Sequence, residues 1–149
     1  MPLRPLVSLA VALLLVNAPA CSHLPSGVIP EAEIRLDASA AAVQLDRSLP
    51  VALSFDDRMG TAQVALLPTA IDIENAEPII GYRAGDVAYL ASEQSIIVFL
   101  SDGLDVPTEG LVLLGHVTSG MEDLADCSRN CAVRLVGAGG LHDDQPVGR

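Results

Sequence analysis

The stretch of sequence that decides the fold reads Leu114-Gly115-His116-Val117-Thr118-Ser119-Gly120-Met121-Glu122-Asp123-Leu124. It continues an apolar, β-prone run that begins at residue 111, which predicts a strand leading directly into a short helix. Ser119 and Glu122 form the Ser-x-x-Glu pattern of a capping box. In that motif the Ser119 hydroxyl accepts from the Glu122 amide, while the Glu122 carboxylate accepts from the Ser119 amide. The sequence therefore predicts a strand-to-helix junction fixed by local hydrogen bonds.

Short strands and one further helix are predicted over the rest of the chain. Four apolar residues at spacings of four, three and four share one helical face: Ala38, Ala42, Leu45 and Leu49. Pro50 ends this helix, because the residue before a proline is disfavoured in the helical region. The predicted strands cover residues 34–36, 51–56, 61–67, 86–90, 95–100, 111–117 and 131–136. This pattern favours a mainly β fold, a closed antiparallel β-barrel with two short helices, since closure leaves no exposed strand edge.

Several of these segments resemble the cyclophilins. The opening stretch is similar to their Phe-Gly-x-Val-x-x-Gly-Met segment, and the chain is more similar still to small bacterial cyclophilin-like domains that share the barrel but have diverged from the isomerases. The resemblance covers residues 34–136 in order. It also rests on the helix ending at Leu49-Pro50, on Leu66-Leu67-Pro68 and on Gly85-Asp86-Val87. It implies a cyclophilin-like barrel whose first hairpin is truncated to the segment around Ile34.

The residues that carry prolyl isomerisation in cyclophilins are not reproduced. That activity depends on an arginine from a Phe-His-Arg strand, an apolar proline pocket, and a Trp and a His near the Phe-Gly segment. The matching His and Trp positions hold Leu111 and Val106, and the chain contains no Phe-His-Arg. A missing cationic donor removes electrostatic help for the rotation. We therefore expect a non-catalytic binding domain, with a divergent prolyl isomerase and a structural envelope lipoprotein as the alternatives.

The shared shape implies a cleft where cyclophilins bind peptide. We expect its ligand to be a peptide or small molecule, and we expect no cofactor. The side chains predicted to line the cleft are Phe55, Arg58, Gln63, Tyr89 and Phe99. Each of them also suits an ordinary core or surface position.

The first twenty residues predict that the protein is exported. Arg4 precedes an apolar run over residues 6–16. The run is shorter than the roughly 20 residues of a membrane-spanning helix, and its position and composition are typical of a signal peptide. We therefore expect residues 1–20 to be removed from the mature protein.

Cys21 directly follows the predicted signal peptide. Ala18-Pro19-Ala20 suits an ordinary signal peptidase, whereas a small residue before Cys21 suits lipoprotein processing, in which the thiol is diacylated. We expect lipidation, which would anchor the protein to a membrane in the periplasm or at the cell surface. Residues 21–33 then form the lipid anchor and a tether with proline and glycine. The alternative is a soluble secreted protein with a free Cys21 or a mixed disulfide.

The cysteine count favours a disulfide near the end of the chain. Cys21, Cys127 and Cys131 are the three cysteines, and an odd number in an exported protein leaves one thiol to explain. Lipidation of Cys21 would leave the other two as a pair. Their spacing differs from the two residues typical of redox and zinc motifs, and His116 and His142 lie in unrelated segments. We expect a disulfide rather than a redox or metal site.

Composition limits the remaining functions. The 149 residues fit one domain, with the barrel at residues 34–136 and a flexible, polar tail at residues 137–149. There are 19 acidic and 8 basic residues, giving a formal net charge of -11, and such a surface repels nucleic acid and anionic lipid. Lysine is absent, which excludes Schiff-base chemistry. The acidic clusters lack the spaced ligands and glycine of a calcium loop.

Overall fold

The computed structural model describes residues 27–107 and 110–139. The predicted signal peptide, Cys21 and nearly all of the predicted tail lie outside the described residues. Within them the elements follow the order β1 (Glu31–Leu36), α1 (Ala40–Asp46), β2 (Val51–Arg58), β3 (Ala62–Leu66), β4 (Asp86–Leu90), a 3-10 turn (Ala91–Glu93), β5 (Ser95–Phe99), β6 (Leu111–Ser119), α2 (Met121–Ala125) and β7 (Cys131–Gly137). No helix in these two ranges is both long enough and apolar enough to span a membrane.

The strands close into a barrel in the order β1-β6-β4-β5-β3-β2-β7, which confirms the predicted fold class. All neighbouring pairs are antiparallel except one. Strand β1 lies parallel to β7, with Glu31 opposite Arg134 and Ile34 opposite Gly137. The first strand therefore closes the barrel between β6 and β7, and it begins three residues earlier than predicted.

Alternate residues of the strands point into the barrel and form its core. Helix α1 packs Ala41, Ala42 and Leu45 onto this core and begins at Ser39, whose hydroxyl accepts from the Ala42 amide at 3.1 Å. Leu124 of α2 joins the same core. The strand residues that fill the interior include Ile34, Leu53, Phe55, Ala65, Val87, Tyr89, Ile96, Val98, Val112, Leu114, Val133 and Leu135.

A second apolar cluster covers the outer face of part of the sheet. Its fully buried members are Ala62, Ala88, Leu90, Ile97, Phe99 and Leu111. The Tyr82 ring stacks on Phe99 with 3.7 Å between centroids and 11° between planes. Because β5 packs against the core on one side and this cluster on the other, all five of its residues are buried. This explains why four of its five residues, Ile96 to Phe99, form a continuous apolar run.

The strand-to-helix junction forms, but the predicted capping box is wrong. Strand β6 continues through Ser119, which pairs with Glu33 of β1, so Ser119 is held in extended backbone. Gly120 is the N-cap of α2, with φ 83° and no side-chain cap hydrogen bond. A Cβ at Gly120 would collide with the Glu31 carbonyl oxygen. The junction is thus fixed by a left-handed glycine pressed against β1 and not by local side chains.

Candidate functional site

The structure does not bring the five predicted cleft residues together. Phe55 and Tyr89 fill the barrel core, and Phe99 belongs to the outer cluster. Gln63 is fully buried, whereas Arg58 is exposed. Four of the five side chains are therefore shielded from an external ligand, and Arg58 alone lies on an accessible surface.

Arg58 lies in a surface groove of about 460 Å³, which we call the β2–β3 groove. Because Leu53 and Phe55 point into the core, the intervening residues of β2 point outward. The outward residues of β2 and β3 thus line the groove, together with the starts of β5 and β7. The lining consists of Ser54, Asp56, Asp57, Arg58, Val64, Leu66, Ser95 and Asn130.

An ion pair crosses the groove. The Arg58 Nη2 atom lies 2.9 Å from Glu93 Oε2, and the two side chains are 45% and 43% exposed. Strand β3 lies between β2 and β5 in the sheet, so the pair spans the outer face of β3. An ion pair this exposed contributes only about 0–1 kcal/mol. Arg58 can therefore exchange Glu93 for a ligand acceptor at little cost.

Two of the eight residues that line the groove are apolar, and the other six are polar or charged. Val64 is half-buried, and Leu66 is 66% exposed. The exposed Ser54 also lines the groove. Apolar surface beside a guanidinium and a hydroxyl can bind an apolar side chain and the polar backbone that carries it.

Residues 127–131, which we call the disulfide loop, contribute Asn130 to one wall of the groove. The disulfide between Cys127 and Cys131 is present, as predicted, with 5.7 Å between the Cα atoms. The Asn130 amide donates to Asp56 Oδ1 at 2.9 Å, and the Asp57 amide donates to the Ser128 carbonyl oxygen at 3.3 Å. The disulfide thus closes the loop on itself, and two hydrogen bonds join the loop to β2.

A sequence model of the cyclophilin-like family matches residues 30–136. The chain belongs to the cyclophilin-like family. The matched range covers the strands of the barrel up to, but not including, the last residue of β7, Gly137, and includes the β2–β3 groove and the disulfide loop. No curated protein matches the chain.

The isomerase positions of this cyclophilin-like domain hold packed apolar residues. Leu111 is buried in the outer cluster, and Val106 packs against the same cluster. Neither residue lines the β2–β3 groove. The groove lining also contains no aromatic ring among the described residues. The accessible surface around Arg58 thus differs from the pocket that the isomerases use.

Gln63 links the cyclophilin-like barrel to the disulfide loop. Its Nε2 atom donates to the Cys127 carbonyl oxygen at 3.0 Å and to Asp57 Oδ1 at 3.3 Å. Both neighbours only accept hydrogen bonds, so the amide cannot be flipped. The buried Oε1 atom has no hydrogen-bond partner within the described residues. The sequence predicted Gln63 as a cleft residue, but Gln63 lies on the inward face of β3 with the core residue Ala65, and its partner Cys127 is 64 residues away in the chain.

The disulfide has the surroundings of a structural bond and not of a catalytic one. Cys127 is buried and follows the C-terminal end of α2. Catalytic cysteine pairs instead use a helix N-terminus to stabilise the thiolate. No cluster of three or more His, Cys, Asp or Glu side chains suited to a metal occurs in residues 27–107 and 110–139.

Proposed function

We propose that this cyclophilin-like protein is an exported, lipid-anchored binding domain that holds an extended peptide segment in the β2–β3 groove and catalyses no reaction. The observation that carries the proposal is the exposed Leu66 side chain beside the weak Arg58–Glu93 ion pair. An apolar anchor next to an exchangeable cationic donor suits a ligand with an apolar side chain and free backbone carbonyls.

Barrel closure determines how such a peptide would be recognised. Every strand is paired on both sides, so no strand edge is open to an added peptide strand. Recognition therefore depends on the outward side chains. Arg58 and the Ser54 hydroxyl would donate to peptide carbonyls, while Leu66 and Val64 would contact an apolar side chain.

The charged residues around the groove further limit which peptides it would bind. Among the described residues, Asp56, Asp57 and Glu93 lie in or beside the groove, and Arg58 is the cation in its lining. This excess of carboxylates repels acidic peptides and tolerates neutral or basic ones. The groove also lacks an enclosed apolar pocket for a proline ring, which supports binding over isomerisation.

The anchor would hold the barrel close to a membrane. Nine residues separate Cys21 from Glu31, where β1 begins, and a fully extended chain of that length spans about 30 Å. The acidic surface would be repelled by anionic lipid, so attachment would depend on the acyl chains. The groove would then face ligands within a short distance of the bilayer.

Binding is tested with fluorescein-labelled nine-residue peptides, each carrying one Leu and one Arg in a Ser-Gly background. Fluorescence anisotropy should show saturable binding that Leu66→Ser weakens about 5- to 30-fold, the equivalent of about 1–2 kcal/mol for partial burial of one leucine. Leu104→Ser is the matched control, because Leu104 is 83% exposed in a different groove. Peptides with Glu in place of Arg should bind less tightly. Equal loss in both variants, or no saturable binding, would contradict the proposal.

A further inference from the structure

We propose that the disulfide loop is a redox-sensitive wall of the β2–β3 groove, so that reducing Cys127–Cys131 loosens the loop and weakens ligand binding. The binding effect rests on the function proposed above, whereas the loosening of the loop does not. The proposal stands on the contacts that join this loop to β2 and β3.

Besides the disulfide, two hydrogen bonds to β2 hold the outer half of the loop. Ser128, Arg129 and Asn130 are all exposed, so no buried side chain of theirs anchors the segment. Asn130 has φ 52°, in the left-handed region, which asparagine adopts more readily than most residues other than glycine. In this conformation its amide donates to Asp56 Oδ1. Opening the covalent ring removes the constraint that helps to keep this turn closed.

The inner end of the loop is held in a different way. Cys127 is buried, and its carbonyl oxygen accepts from the buried Gln63 amide at 3.0 Å. Gln63 already has an unpartnered Oε1 atom, so losing this bond would leave a second buried polar atom less satisfied. The Cys127 sulfur also lies 3.3 Å from the Phe55 carbonyl oxygen, which can accept a hydrogen bond from the Cys127 thiol after reduction. Cys127 therefore stays in place after reduction, Cys131 is held by its pairing with Phe55, and the movement is confined to residues 128–130.

The reduction itself requires a dithiol, such as a thiol–disulfide oxidoreductase or dithiothreitol. Cys131 is partly exposed and Cys127 is not, so the incoming thiolate attacks the Cys131 sulfur. The S–S bond breaks, and the electron pair leaves on the Cys127 sulfur, which takes up a proton. The second thiol of the reductant then releases Cys131 as a thiol and becomes oxidised to a disulfide.

Hydrogen exchange of the full-length chain tests the loop movement without any ligand. Cys21→Ser removes the third thiol, so the pair under study is the only one to titrate. Reduction with dithiothreitol should raise the exchange rate of the Asn130 amide at least tenfold, and should leave the amides of β3 protected. Asp56→Ala is the matched variant, because it removes the acceptor and should make Asn130 exchange quickly even when oxidised. Unchanged exchange at Asn130, with both thiols shown to be free and the barrel folded, would overturn the proposal.

Peptide binding shows whether redox control fails by itself or together with the proposed binding function. The Leu- and Arg-containing peptides should bind the reduced protein 3- to 10-fold less tightly than the oxidised protein, and Cys131→Ser should bind like the reduced form. Equal binding in both redox states would overturn redox control and leave the binding function standing. If no peptide binds in either state, the binding function fails, and the exchange of Asn130 still decides whether the loop responds to reduction.

Discussion

Replacing Tyr89 by Phe removes one oxygen atom from the barrel interior and tests whether the buried polar contacts stabilise the fold as the structure indicates. The Tyr89 hydroxyl accepts from the Ile71 amide at 3.1 Å, and both residues are buried. This bond joins β4 to the segment that runs between β3 and β4. Phe keeps the ring and its packing, so the substitution isolates the hydrogen bond.

The expected loss follows from the amide that remains. A buried N–H left without an acceptor costs about 1–3 kcal/mol. For a domain of about this size, each kcal/mol lowers the melting temperature by roughly 4–8 °C. We therefore expect Tyr89→Phe to lower the melting temperature by at least about 4 °C and to lower the urea midpoint while the m-value stays constant.

The same substitution at the other tyrosine supplies the control. Tyr82 stacks on Phe99 through its ring, and its hydroxyl makes no hydrogen bond within residues 27–107 and 110–139. Tyr82→Phe should change the free energy of unfolding by less than about 0.5 kcal/mol, as expected for a position away from buried polar contacts. Chemical denaturation of both variants gives the comparison. If Tyr89→Phe changed the free energy of unfolding as little as Tyr82→Phe, the reasoning would be refuted. The Ile71 amide would then have found another acceptor at no cost.

Three further outcomes are expected. Cys127→Ser should lower the free energy of unfolding by about 2 kcal/mol without preventing folding, since the bond closes only a short loop. Calorimetry measures this loss, and two free thiols in oxidised wild-type protein would contradict a stabilising disulfide. The mature protein should carry acyl chains on Cys21 and partition into detergent, as mass spectrometry and phase separation would show; an unmodified Cys21 N-terminus in the medium would contradict it. Added protein should not accelerate isomerisation of a proline peptide, and a rate enhancement abolished by Arg58→Ala would overturn the non-catalytic assignment.

Local sequence patterns were sufficient for the strands and helices. The alternation of Leu53 and Phe55 with polar residues predicted the buried face of β2, and the structure confirms it. The run before Pro50 predicted α1, although the helix ends at Asp46, three residues before the predicted end at Leu49. These signals depend on residues that are neighbours in the chain, which is why they can be recognised without the fold.

Long-range contacts account for what the sequence could not predict. The capping box at Ser119 failed because pairing with β1 keeps that residue extended. Phe99 was expected in a cleft, but it is covered by Tyr82 from the segment between β3 and β4. Gln63 is buried and hydrogen-bonded to Cys127, 64 residues further along the chain. None of these long-range contacts can be recognised from the residues next to the position that it affects.

Because of the position of β7 in the sheet, the barrel cannot close until this last strand is in place. This last strand lies between β1 and β2, so the sheet keeps two unpaired edges until Cys131–Gly137 is in position. Exposed edges of that kind are templates for pairing with other chains. A chain that ends before residue 131 should therefore aggregate instead of forming a smaller barrel. Degradation from the C-terminal end should likewise destroy the whole domain once it reaches β7, because β1 then loses one of its two neighbours.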